Sequence, residues 1–595
     1  MDVGRHPQIN LLTYSEIEDI SGYIGNFHVK VRKKARYVDE NECTACDECV
    51  EVCPVVVPKE HQLGLASRKA IYIPFPQAVP SAHLIDTEAC LGFNPIACGK
   101  CAEKCDKNCI NYDDQDKIVE FDVGTIIVAT GMDIYDPTEL DEYGYTRFEN
   151  VLTSMEFEVL TGPGGITKGE LVRPTDRKVP KTIGFIQCVG SRCGKRGSPY
   201  CSNICCMNTI KDTLFLSEHY PGIDCKVFYM DIRAFGKGFE DFYRRSKALG
   251  VKYIRGIPGD MREDPKTKNL ILTVENTTDG GIEEHELDMV VLSVGLVPRH
   301  DVATIQKLLT LSTTSDGFLM EVHPKLTPID APTSGVFFAG CCEAPKDIKD
   351  SVTQASGAAA RALTILSKDK VKIEALTSMI DEELCTFCGM CARACPYGAI
   401  IVDKKAKTSK VIEAACKGCG TCSAECRFGA IRMKHFNDDQ IMAQIEALLK
   451  DKPEEKIIVF ACNWCSYPGA DLVGISRMQY PVSPRIIRVM CSGRVDEKFI
   501  LHAFELGAPI VLVSGCHAAD CHYIDAQQWA QLRVEKLWNK LERLGIRPER
   551  LQLEWISASE IGKFVKTMKE LEEMRKQVTK EEIEETKKIL SKAKK

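Results

Sequence analysis

The chain lacks long hydrophobic runs. No apolar stretch approaches the ~18 residues that suggest a membrane span; DMVVLSVGLVP, residues 288–298, is among the longest. The first residues, MDVGRHPQIN, lack the apolar core of a secretion signal. A cytoplasmic protein with no membrane span is therefore expected. Positive charge is not in excess either: Lys and Arg number 77, Asp and Glu 84, and the net charge is −7. That balance gives no support to nucleic-acid binding, which needs a concentrated basic face. A last absence concerns glycine. No G-x-G-x-x-G occurs anywhere, and GPGG at 162–165 lacks the third glycine and a preceding strand.

What is present is ordinary globular composition, 44% apolar and 27% charged over 595 residues, with 30 cysteines. At roughly 100–200 residues per domain, several domains are expected. Without a secretion signal, cysteine at this density reads as metal ligand or redox group before disulfide.

The spacing of the cysteines narrows this. CTFCGMCARACP begins at Cys385 and places Cys388, Cys391 and Cys395; CKGCGTCSAEC begins at Cys416 and places Cys419, Cys422 and Cys426. Each is C-x2-C-x2-C-x3-C, the bacterial ferredoxin run, whose fourth Cys serves the other cluster. One cluster is expected on Cys385, Cys388, Cys391 and Cys426, and the other on Cys416, Cys419, Cys422 and Cys395. Tyr397-Gly-Ala-Ile400 and Phe428-Gly-Ala-Ile431 repeat after the two runs, as in an internal duplication. A zinc module is the competing reading. A less regular copy places Cys43, Cys46, Cys49 and Cys53, then Cys90, Cys98, Cys101 and Cys105. Its second run is stretched between Cys90 and Cys98, which costs a loop little entropy. Cys109 reads as a packed thiol.

Between these runs lies an α/β stretch. KIVEFDVGTIIVATGMDIYDP (117–137) reads as a strand entering an Ala-Thr-Gly turn, DMVVLSVGLVP as a second strand, and residues 335–366 as strand, loop and Ala-rich helix. FHVKVRKKARYV (27–38) alternates as a strand and is expected to pair with 117–123, so that the first ferredoxin is an insertion within a meander. The three α/β motifs resemble the two-dinucleotide-binding-domain flavoprotein fold of thioredoxin reductases. A helix starting near Asp350 would aim its positive end at the flavin. The flavin contacts expected are Thr130, Gly131, Gly340, Lys346, Asp347, Ser351 and Val352. The glycine turn of that fold is missing, so FAD would be shared with a partner chain, or its site lost. At 181–211 the place of a nicotinamide turn is taken by Cys188, Cys193, Cys201, Cys205 and Cys206. These can surround a cluster, with zinc or buried thiols as the alternative.

QCVGSR, YCSNICCM, both ferredoxin pairs and VGRHPQINLLTYSEIEDISGYIGNF resemble the A subunits of methanogen heterodisulfide reductases, over about residues 1–437. The resemblance implies an extra [4Fe–4S] cluster on Cys188, Cys201, Cys205 and Cys206, with Cys193 outside it. It also implies flavin-based bifurcation or confurcation between a hydrogenase or formate dehydrogenase, ferredoxin and the CoM-S-S-CoB heterodisulfide. The implied partners are the B and C subunits of heterodisulfide reductase and a small subunit carrying the missing dinucleotide turn, within a dimer of a larger complex. This chain departs from the family in lacking the N-terminal glycine turn, and Cys341 stands where flavin reductases place an Asp. Lys211, five residues past Cys206, is a candidate neighbour of flavin N5, or else a surface lysine.

After DKPEEK (451–456), read as a charged linker, IIVFAC, RIIRVMC and PIVLVSGC read as buried parallel strands ending at cysteines. Their ends meet at one sheet rim, where such sheets bind ligands. This module resembles the delta subunit of methyl-viologen-reducing hydrogenase and implies one [2Fe–2S] cluster. The expected ligands are Cys462, Cys491, Cys516 and Cys521; Cys465 could displace one, and His517 with His522 would give a Rieske-like set. The tail 565–595 reads as a charged helix with a solvated face.

The fold expected is a multidomain α/β chain: an incomplete FAD domain (1–37 and 117–372), an inserted ferredoxin (38–116), a second ferredoxin (373–437) and a [2Fe–2S] domain (438–595). Together these carry about five [4Fe–4S] clusters and one [2Fe–2S] cluster. Two other functions compete: a flavin-free electron-wiring subunit, and a flavin-dependent disulfide reductase using its own thiols.

Overall fold

The computed structural model describes residues 2–593 apart from 94–97, 325 and 519. The stretched loop between Cys90 and Cys98 therefore lies partly outside the described residues. Among the described residues, no helix is long and apolar enough to cross a membrane.

Strands Ser15–Tyr23, Asn26–Lys33 and Lys117–Val123 form an antiparallel meander. Phe27 faces Val123 and Lys33 faces Lys117 across its second pair. Phe27 and Val31, two of the alternating positions, are buried. The cysteine-rich segment from Cys43 to Cys109 leaves and re-enters between those two paired strands. The single strand read over 117–137 is in fact divided. After Val123 the chain leaves the meander, and Ile126–Val128 pairs in parallel with Val336–Phe338.

A five-stranded parallel sheet follows, in the order Val151–Thr153, Met289–Val294, Thr182–Val189, Asp224–Tyr229, Lys252–Arg255. Met289–Val294 is buried at every position, as expected of a parallel strand covered on both faces. The helix after Val336–Phe338 begins at Ile348, two residues before Asp350. Asp347 is its N-cap and accepts the Asp350 backbone N–H at 2.7 Å.

The C-terminal module is a four-stranded parallel sheet, ordered Pro484–Val489, Ile457–Cys462, Ile510–Gly515, Leu551–Trp555. Its two central strands are wholly buried. Each fully buried Ile, Val or Leu there contributes roughly 1.5–3 kcal/mol. The tail is more than a solvated face. Helix Ile561–Gln577 buries Phe564, Val565, Met568 and Leu571, and helix Lys580–Ala593 buries Ile583 and Leu590. The charged segment 451–456 is tied down as well, since Arg575 donates to the Glu454 carbonyl at 3.2 Å.

Candidate functional site

The cysteines converge in six groups. In the inserted ferredoxin, burial first, and then the thiols of Cys43, Cys101, Cys46 and Cys105, push Cys49 up to about 12. A cavity of about 140 Å³ is lined by Cys43, Cys46, Cys49, Cys105 and Cys109. Cys90 has Cys101, Cys53 and Cys98 as its charged neighbours. Each run thus sends its fourth cysteine to the other group, as a duplicated ferredoxin requires. In the second ferredoxin Cys391 is grouped with Cys426, Cys388 and Cys385, and Cys422 with Cys419, Cys395 and Cys416.

Three partners of these sulfurs were not legible in the sequence. His83, buried, lies 3.5 Å from Cys43 Sγ through Nδ1 and 2.8 Å from Asp47 Oδ1 through Nε2. Tyr112 lies 2.9 Å from Cys101 Sγ. Cys109, read as a packed thiol, is buried but stands 3.4 Å from Cys105 Sγ.

The fifth group lies at the carboxyl edge of the parallel sheet. Cys188 sits near the end of strand Thr182–Val189 with φ +60, where the register slips. Cys205 and Cys206 open helix Cys205–His219, and Cys201 lies in the loop before it. Burial and the thiols of Cys188, Cys206 and Cys201 raise Cys205. Cys193 is exposed, and backbone N–H groups of Arg196 and Lys195 lower it.

The sixth group closes the rim of the C-terminal sheet. Cys462 ends its strand, Cys516 follows Gly515, and the two sulfurs are 3.8 Å apart. Hydrogen bonds from Cys491 and Cys516 hold Cys462 well below the usual thiol range. The same two groups lower Cys521 to about 3. Cys465 borders Cys516. His517 pairs with Glu560 at 2.6 Å, and His522 stacks on Trp464 at 3.7 Å.

A cavity of about 980 Å³ opens beside the fifth group. Its lining includes Gly131, Gly340, Lys346, Asp347, Ser351 and Val352 of the expected flavin contacts, but not Thr130. Gly131 and Gly340 both adopt φ near +80, and a Cβ on either would meet open space or only Ser351, 3.8 Å away. That is a cradle suited to a flat ligand. Asn203, Ile204, Met207 and Asn208 form the wall toward Cys201 and Cys205. Lys211 lies one helical turn beyond Met207 and does not line the cavity. Its Nζ is held by Glu158 and, at 3.1 Å, by Asp212. Cys341 lines the cavity and donates to the Lys346 carbonyl at 3.4 Å.

The family model described as methyl-viologen-reducing hydrogenase, delta subunit, matches residues 457–579. The 4Fe-4S binding domain model matches 36–59 and 379–401. The A subunit of a ferredoxin:CoB-CoM heterodisulfide reductase from Methanosarcina mazei is 42% identical over 96% of this chain and 72% of its own length. The A subunit of an H(2):CoB-CoM heterodisulfide,ferredoxin reductase from Methanothermobacter marburgensis is 49% identical over 76% of this chain and 67% of its own. A solved thioredoxin reductase of Lactococcus lactis is 17% identical over 50% of this chain and 86% of its own, with a TM-score of 0.28. The chain belongs to the family of heterodisulfide reductase A subunits, which are oxidoreductase components.

Proposed function

We propose that this chain conducts electrons within a heterodisulfide reductase complex, in bifurcation or confurcation linking a hydrogenase or formate dehydrogenase, ferredoxin and the CoM-S-S-CoB heterodisulfide. The observation that carries the reading is the grouping of the cysteines into six cages, one of them against the wall of the glycine-lined cavity.

The residues present fit the cofactors. Cys43, Cys46, Cys49 and Cys105 would hold one [4Fe–4S] cluster, and Cys53, Cys90, Cys98 and Cys101 a second. Cys188, Cys201, Cys205 and Cys206 would hold a third. Cys385, Cys388, Cys391 and Cys426 would hold a fourth, and Cys395, Cys416, Cys419 and Cys422 a fifth. Cys462, Cys491, Cys516 and Cys521 would hold [2Fe–2S]. Bound FAD would supply exchange between two-electron and one-electron carriers, and the clusters would hold single electrons.

The chain's own residues set the conditions. The parallel sheet presents Cys188 and the helix Cys205–His219 presents Cys205, and the sequence neighbours Asn203, Ile204, Met207 and Asn208 line the cavity. Gly131 and Gly340 leave room for a planar ring. Asp347 is engaged as a helix cap, which puts its carboxylate at the positive end of the helix. A small partner subunit that carries a glycine turn for the pyrophosphate belongs to the same proposal. B and C subunits would take the electrons onward. The division into 1–37 with 117–372, 38–116, 373–437 and 438–595 belongs to the same reading.

Anaerobic purification with iron, sulfide and FAD analysis tests it. The chain alone should carry full iron and little FAD, with flavin restored by the partner. Cys201→Ala should remove about four irons and spare the ferredoxin signals. No loss of iron in that variant would remove the cage at 188–206; stoichiometric FAD in the chain alone would remove the shared site.

A further inference from the structure

Two of the cages touch. Cys395, Cys416 and Cys419 lie in one apolar cluster with Cys462, Cys491, Cys516 and Cys521, joined by Tyr397, Tyr523 and Ala526. The seam runs between the turn Thr421–Ala424, flanked by Cys419 and Cys426, and the turn Ser492–Arg494 that follows Cys491. Two glycines allow this approach. A Cβ on Gly493 would stand 2.4 Å from Thr421 Oγ1 and 2.7 Å from the Ala526 carbonyl oxygen. A Cβ on Gly420 would stand 2.3 Å from Arg494 Cδ.

Arg533, on helix Ala526–Arg543, bridges the same seam. One guanidinium nitrogen donates to the carboxylate of Glu425, the residue that ends the turn carrying Cys422. Another donates to the Gly493 carbonyl at 2.5 Å, and Nε to the Val495 carbonyl at 3.2 Å. The side chains of Arg533 and Glu425 are only 13% and 14% exposed. A buried pair of this kind contributes little net stability but is costly to break, and it fixes geometry. A planar fork can reach three acceptors at once, which an ammonium on a flexible stem cannot do in this arrangement.

We propose that Arg533 and Gly493 are positioning residues: together they fix the spacing between the [2Fe–2S] centre and the adjoining [4Fe–4S] centre of the second ferredoxin, and so the rate of electron passage between them. The proposal rests on the cluster assignment above. One electron leaves one centre and enters the other; no bond is made or broken and no proton moves. Because such transfer falls steeply with distance, a displaced seam slows it even when both centres are intact.

The test uses the full chain, loaded and reduced anaerobically. Its readout is the magnetic splitting between the two reduced centres, followed by electron paramagnetic resonance. Gly493 does not adopt a left-handed backbone, so Gly493→Ala adds a wedge without backbone strain. Gly493→Ala and Arg533→Met should each lose the splitting while iron content and the intrinsic g values of both centres stay unchanged. Arg533→Lys should restore it only in part. Full iron with unchanged splitting in Gly493→Ala and Arg533→Met overturns the proposal. If Arg533→Met fails to load, Glu425→Gln, which keeps the volume, takes its place under the same criterion. Loaded wild-type protein that shows both centres without splitting also overturns it. Absence of any [2Fe–2S] signal in the wild type would instead remove the cluster assignment, and the proposal with it.

Discussion

The inserted and the C-terminal ferredoxin units share the spacing of their first cysteine run but differ in the second run and in what surrounds the sulfurs. In the insert, side chains outside the cysteine runs reach the cages: His83 at Cys43, Tyr112 at Cys101 and Cys109 at Cys105. In the C-terminal unit the side-chain contacts are Ser409 to Cys385 at 3.5 Å and Ser378 to Cys416 at 3.7 Å, against 2.9 to 3.5 Å in the insert. One of its cages is instead merged with the core of the next module. The insert brings polar partners from outside its cysteine runs to the sulfurs. The tight loops of the second unit leave room for another module. Two versions of one duplicated pattern thus support a tuned site in one place and a junction in the other.

Removing a ligand from each unit should separate these roles most strongly. Cys101→Ala should cost about four irons and leave the other centres intact. Cys419→Ala should cost those of its own cluster and also disturb the [2Fe–2S] signal, because Cys419 is buried in the apolar cluster that contains Cys491 and Cys516. Anaerobic iron analysis with electron paramagnetic resonance checks both. An undisturbed [2Fe–2S] signal in Cys419→Ala would break the comparison.

A smaller effect should appear in how the insert is held. Arg68, 7% exposed in its side chain, pairs with Asp86 at 2.9 Å, bonds Glu60 through Nε at 2.6 Å, and lies 3.9 Å over the Tyr72 ring. For Glu60 the Arg68 hydrogen bond is the largest influence, and it lowers the carboxyl. For Asp86 burial opposes, but Arg68 and backbone N–H groups prevail and the carboxyl is also lowered. Groups lowered on folding stabilise above the ordinary carboxylate range, and that contribution fades as pH falls through the depressed values. Arg68→Ala should therefore destabilise the insert by about 2–3 kcal/mol at neutral pH. The difference from wild type should shrink as the pH falls through the depressed carboxyl values. Thermal melting followed by cluster absorbance between pH 3 and 7 checks this; an equal loss at all pH values would show that packing alone is at work.

The regular cysteine runs and the strands that end at Cys462, Cys491 and Cys516 were legible because their signals are local: fixed spacing, and apolar runs closed by a thiol. The cage of Cys188 to Cys206 came through resemblance, since adjacent cysteines after a long gap have no fixed geometry. His83 was out of reach, being 40 residues from the sulfur it touches. So was the salt bridge that draws Lys211 to Glu158, across 53 positions. Arg533 reads as one more surface charge on an amphipathic helix, and only the fold brings Glu425 and Gly493 to it. The helix expected near Asp350 starts at Ile348 because Asp347 and Asp350 are both plausible caps, and the backbone takes the first.

The finest distinction between the two units lies in single hydrogen bonds to sulfur. With a cluster bound, the Cys101 thiolate would carry no proton, and the Tyr112 hydroxyl, 2.9 Å away, would be the donor. Donors to cluster sulfurs favour the reduced, more negative state and raise the potential. Tyr112→Phe keeps the ring, which packs edge-on against Phe93 at 5.4 Å, and removes only the donor. A hydrogen bond of about 0.5–1.5 kcal/mol corresponds to roughly 20–60 mV for a one-electron couple. The cluster on Cys53, Cys90, Cys98 and Cys101 should therefore become harder to reduce by that order, with iron unchanged. Ser409→Ala, removing the longer contact at Cys385, should shift its cluster by less. Redox titration followed by electron paramagnetic resonance compares the two. An equal or larger shift in Ser409→Ala would mean that distance to sulfur is not what separates the units.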